Sequence, residues 1–88
     1  MAEPFRVTST GSISCPAKGI VEIITLQSEA QNSFAILYEG TDSTGRRIFD
    51  LSALIRDSNT TPVLNIPYEG GLYAVIAGTG AGLTVTVR

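Results

Sequence analysis

The chain has 88 residues, six basic and eight acidic side chains, a formal net charge of −2, a hydrophobic share of 43%, one cysteine and no histidine. These values describe one domain over residues 1–88 with a single core. They exclude a disordered chain, a disulfide-stapled scaffold and a basic stripe for nucleic acid or an anionic membrane. No apolar run approaches the roughly 20 residues of a membrane helix, and Met-Ala-Glu-Pro lacks a basic region followed by an apolar one, so a soluble chain without a secretion signal is expected.

In chain order, Pro4 precedes Phe5-Arg6-Val7-Thr8-Ser9, in which Phe5, Val7 and Ser9 share a side. Residues 1–7 therefore read either as an edge strand or as an N-terminal contact arm. Thr10-Gly11-Ser12 reads as a turn or bulge, and a strand pattern from Ile13 to Cys15 is broken by Pro16-Ala17-Lys18-Gly19. Gly19 to Leu26 is dense in β-branched residues, with Ile20, Glu22, Ile24 and Leu26 on one side and Val21, Ile23 and Thr25 on the other. Its polar residues fall on both sides, which leaves its buried face undecided.

The polar stretch from Gln27 to Ser33 predicts a turn, and Phe34 to Tyr38 a strand that pairs with the preceding one as a meander. Glu39-Gly40-Thr41-Asp42-Ser43-Thr44-Gly45 is the longest cluster of turn formers and predicts a surface loop. A strand follows from Arg46 to Leu51, with Arg47, Phe49 and Leu51 on one side and Ile48 on the other. Leu51, Leu54 and Ile55 stand at helical spacing, so Ser52 to Asp57 reads as one helical turn or as irregular chain. Asp57 to Pro62 is a polar loop, and Val63 to Tyr68 a strand in which Pro67 ends the ladder or marks an edge.

The clearest local pattern is the last stretch, from Gly70 to Arg88. Leu83, Val85 and Val87 alternate with Thr84, Thr86 and Arg88, the period of a strand with one buried face. Leu72 to Ala77 is apolar on both sides and reads as a strand covered on both. Glycines at 78, 80 and 82 supply the backbone freedom of a tight connection, and together these predict a β-hairpin. About seven short, mainly antiparallel strands at this spacing predict an all-β sandwich or a partly open barrel.

Candidate chemistry is sparse. Without histidine, neither a Ser-His-Asp nor a Cys-His site can be built within one chain, and the commonest transition-metal ligand is missing. Cys15 has only Lys18 near it in sequence to activate a thiolate and reads as a half-buried thiol. Glu39 and Asp42 lack the spacing of a calcium loop. No helix pattern follows Gly82, so the glycines at 78, 80 and 82 do not form a phosphate loop. We expect no enzyme, no cofactor and no metal.

Tyr38-Glu39-Gly40-Thr41-Asp42, Gly71-Leu72-Tyr73-Ala74-Val75-Ile76, Gly78-Thr79-Gly80 and Val85-Thr86-Val87 together resemble small virion proteins of tailed bacteriophages. The likeness runs from about Val7 to Val87. It implies a capsid decoration (cement) protein, a β-sandwich or barrel acting as a homo-oligomer, with a trimer favoured by analogy. Its expected partners are itself and the major capsid protein, and its expected place is the capsid surface after assembly in the bacterial cytoplasm. A tail or fibre-associated part, or a soluble carbohydrate- or peptide-binding domain, are the alternatives. The candidate contact residues are Phe5, Arg6 and Val7 in the N-terminal segment, and Thr41, Asp42, Arg46 and Arg47 in and after the long loop.

Overall fold

Nine strands form two antiparallel sheets packed face to face, and no helix occurs among the described residues, 2–88, of this computed structural model. The first sheet contains β1 (Glu3–Val7), β3 (Lys18–Gln27), β6 (Ser58–Thr60), β7 (Ile66–Glu69) and β9 (Gly82–Val87). Its order is β1-β9-β3-β6, with β7 beside the N-terminal half of β3. The second sheet contains β2 (Gly11–Ile13), β4 (Ser33–Glu39), β5 (Arg47–Ala53) and β8 (Leu72–Ala77), in the order β2-β8-β4-β5. The chain is thus an all-β sandwich, with more strands than the hydrophobic pattern alone reveals.

The strand that the pattern hides is β6, in the stretch read as a polar loop. Ser58–Thr60 has no apolar side chain, so nothing in its sequence alternates. It is held by its ladder to β3, by a 3.0 Å hydrogen bond between the Thr25 and Thr60 hydroxyls, and by the Asn59 amide donating to the Ser52 carbonyl at 2.9 Å. The last bond links the neighbouring edges of the two sheets.

The alternating row of β9 points inward as expected: Leu83 and Val85 are fully buried and Val87 nearly so. They meet Val21, Ile24 and Leu26 of β3 and, from the facing sheet, Ala35, Leu37, Leu72 and Ala74. The mixed faces of β3 are explained by a bulge. Glu22 is the unpaired extra residue between Val21 and Ile23, and this shift places Val21 on the same side as Ile24 and Leu26. Pro67 lies in β7 opposite Ile20, on an edge where its missing N–H costs no ladder bond.

Two expected hairpins do not form. The strands β8 and β9 belong to different sheets, as do β3 and β4; in both cases the connection is an arch over the end of the core. Gly78, at φ 114°, turns the chain against the Asn32 carbonyl, where an added Cβ would come within 2.8 Å, and Gly80 follows at φ 78°. Glycine-rich turns serve a hairpin and an arch equally well. Among the described residues, β4 and β5 are the one pair of consecutive strands bonded to each other. In the β3–β4 arch, buried Ser28 and Ser33 share a hydroxyl hydrogen bond, and Ser28 also donates to the Ala53 carbonyl at 3.0 Å.

Other boundaries shift with the ladders. Gly11 and Ser12, expected in a turn or bulge, begin β2, which ends at Ile13 before Cys15. No helical turn forms after β5, where Arg56 at φ 58° closes a reversal with the Asp57 N–H donating to the Leu54 carbonyl at 3.0 Å. Leu54 and Ile55 project to solvent there, 66% and 49% exposed. The strand expected from Val63 starts only at Ile66, because Asn65 takes φ 53°.

Candidate interaction surface

The contact residues expected from the sequence do not share one surface. Residues Glu3–Val7 lie in the β1 ladder on the edge of the first sheet rather than as a free arm, with Phe5 opposite Val85 and Val7 opposite Leu83. Phe5 and Val7 pack against the core, while Arg6 lies on the outer side over Gly82 and reaches the Gln27 side-chain oxygen at 3.4 Å. Thr41 and Asp42 are exposed in the β4–β5 loop at one end of the sandwich. There the Thr44 hydroxyl and backbone N–H both donate to Asp42 and hold its carboxyl below the usual range.

Arg46 joins the two sheets. Its Nε donates to Glu39 Oε1 at 3.1 Å and its Nη2 to the Pro67 carbonyl at 2.9 Å, while the Glu69 N–H donates to Glu39 Oε2 at 2.9 Å. The Arg46 hydrogen bond and then the Glu69 N–H lower the Glu39 pKa. Beside this network lies a groove of about 650 Å³ lined by Ile20, Pro67 and Tyr68. Its cations are committed: Lys18 to Glu69 at 3.3 Å, Arg46 to Glu39, and Arg88 to Glu22 at 2.7 Å. Tyr68 is buried with its hydroxyl donating to the Pro16 carbonyl at 2.8 Å, and burial pushes its phenol well above the ordinary range. The groove therefore offers neither a free charge nor an exposed aromatic platform.

Arg47 is elsewhere. Ile48 is a bulge residue without a partner on β4, so Arg47 stands opposite Tyr38 on the outer face while Phe49 and Leu51 turn inward. This corrects the side assigned to Arg47 by simple alternation. Its guanidinium lies 5.9 Å from the centroid of the Tyr38 ring, and its Nη1 is 3.9 Å from Asp50 Oδ2.

Around Arg47 the outer face of the second sheet is apolar. Across β4 and β8 the register pairs Phe34 with Ala77, Ile36 with Val75 and Tyr38 with Tyr73. Phe34 is 48% exposed and the others are half-buried by their neighbours in the sheet. On the flanks stand Arg47, Asp50 and Ser52 of β5 and Ser12 of β2. The exposed Leu54 and Ile55 lie at the Phe34 end, where the Ile55 N–H donates to Asn32 Oδ1 at 2.7 Å.

Sequence reasoning missed this surface although its signal was present. Leu72 to Ala77 is apolar on both faces, a pattern that by itself predicts cover on both. In a two-layer sandwich the facing sheet covers Leu72, Ala74 and Ile76, whereas among the described residues no further layer lies over Tyr73, Val75 and Ala77.

Among the described residues no group of three or more His, Cys, Asp and Glu side chains is arranged to hold a metal ion. No family model, curated protein or solved structure matches this chain.

Proposed function

We propose that this chain is a structural protein of a tailed-bacteriophage particle, a capsid decoration protein that sits on the assembled head and adds contacts between neighbouring capsid subunits. It acts without catalysis, cofactor, nucleic acid or membrane, and its partners are copies of itself and the major capsid protein. The observation that carries this reading is the apolar outer face of the second sheet. Contiguous apolar surface open to solvent on a small domain marks a protein contact, and exposed Phe34 with half-buried Ile36, Tyr38, Tyr73 and Val75 makes such a surface on two adjacent strands. The virion setting comes from the turn and strand motifs around Tyr38, Leu72 and Val85. Repetition makes modest contacts sufficient, because many copies bound to one lattice stabilise it by mass action and by effective concentration.

A carbohydrate-binding reading is weaker, since the groove beside Arg46 hides its only aromatic ring. A tail or fibre part would use the same kind of surface and differs in copy number. Quantitative mass spectrometry of purified particles tests the proposal. Hundreds of copies per particle support a head protein, a dozen or fewer move it to the tail, and none overturns the virion reading.

A further inference from the structure

The apolar face does not by itself name what covers it, but its charges do. We propose that the outer face of the second sheet packs against the same face of a second copy of this chain, forming a two-fold dimer. A two-fold contact must be self-complementary, with each residue meeting a partner that meets it in return. On β5, Arg47 and Asp50 are both more than half exposed, stand beside adjacent outward rows and carry opposite signs. An axis running across the strands between the Tyr38–Tyr73 row and the Ile36–Val75 row lays β5 over β5. It then sets Arg47 of each copy against Asp50 of the other.

The same axis is consistent with the apolar rows. It brings Tyr38 over Ile36 of the second copy and Tyr73 over its Val75, so an aromatic ring meets a branched aliphatic side chain at each crossing. Sheets stack with about 10 Å between them when such side chains interdigitate. Among axes that run across the strands, one through the Ile36–Val75 row would stack Asp50 on Asp50 and one through the Tyr38–Tyr73 row Arg47 on Arg47. An axis along the strands would lay β5 over β2 and leave both charges without a partner. The extent of the face sets the strength. Four strands about 4.8 Å apart and about six residues long at 3.3 Å each give a footprint of about 400 Å². A stable complex uses about 800 Å² per partner. The dimer is therefore weak, forming at micromolar concentrations or above, and is favoured where copies are concentrated on a lattice.

This inference rests on reading the apolar face as a contact surface, and its test is separate from particle copy number because the dimer forms without capsid. Sedimentation equilibrium of the purified protein over a concentration series is expected to show a monomer–dimer equilibrium. Ile36→Lys is expected to raise the dissociation constant at least tenfold while circular dichroism shows an unchanged sheet spectrum. Arg47→Asp alone and Asp50→Arg alone are each expected to weaken the dimer, and the double exchange to restore it. A wild-type protein monomeric throughout, a trimer, a dimer indifferent to Ile36→Lys, or a double exchange without recovery would each overturn the proposal. Should Ile36→Lys lose its sheet spectrum, the charge-exchange series alone decides, because both of its residues are exposed.

Discussion

The two sheets have the same inner faces and opposite outer ones. Outside the first sheet, Arg6, Thr84, Thr25 and Thr60 form one row across four strands, and Pro4, Thr86 and Ile23 form the next. Outside the second, the equivalent central positions are Ile36, Tyr38, Tyr73 and Val75. Threonine keeps the β-branched shape that suits a pleated strand while offering a hydroxyl to water. Its use on one sheet shows that strand propensity alone does not demand valine or isoleucine on the other. The apolar outer face on these strands is thus not dictated by strand propensity, and the proposed contact gives it a reason.

The largest expected effect separates inner from outer positions on one strand. Val85 is fully buried on β9 and Thr86 is its outward neighbour. Val85→Asp should unfold the domain, because an unpaired buried carboxylate costs several kcal/mol against a total stability of about 5–15 kcal/mol. Thr86→Asp should stay within about 0.5 kcal/mol of wild type. Thermal melts of both proteins check this, and equal melting temperatures would break the assignment of faces.

An exchange of the two outer faces is the next test. Ile36→Thr with Val75→Thr should cost about 1 kcal/mol per site from lost apolar burial and leave the chain monomeric by light scattering. Thr84→Val with Thr86→Val should keep the fold and create new association through the first sheet. If both doubles associate like wild type, the contrast between the faces has no part in self-association.

Smaller effects lie at the margins of the faces. Gly82 has no backbone need for glycine, and an added Cβ would overlap the Arg6 guanidinium, the far end of a flexible side chain. Gly82→Ala should therefore cost less than about 1 kcal/mol in a chemical melt, with Arg6 displaced on the outer face of the first sheet. A larger loss would mean that Arg6 is fixed there.

The smallest effect is the acid dependence of the end that joins the sheets. The folded-state pKa of Glu39 is lowered from 4.5 by the Arg46 hydrogen bond and the Glu69 N–H. Its contribution is thus present above 4.5 and is lost as pH falls through the lowered value. The melting-temperature gap between wild type and Glu39→Gln should be open at neutral pH and close below pH 4.5. A gap independent of pH would place the interaction elsewhere.

Sequence alone determined the all-β class, the inward row of Leu83, Val85 and Val87 and the surface loop around Asp42, and it narrowed Pro67 to a ladder end or an edge. Each follows from forces between near neighbours: alternation, turn chemistry and the missing N–H of proline. Tertiary structure decided the rest. The same glycines at 78 and 80 fit a hairpin or an arch, and the choice was made by distant strands, β4 claiming β8 and β3 claiming β9. Bulges at Glu22 and Ile48 reversed the phase of β3 and β5, moving Val21 inward and Arg47 outward. Simple alternation has no signal for an inserted residue, because the partner strand defines it. The apolar second face of Leu72 to Ala77 was legible, but that it lies outside a two-layer sandwich was not: local pattern records which side chains avoid water, and only the packing of the sheets shows which of them are left without a neighbour.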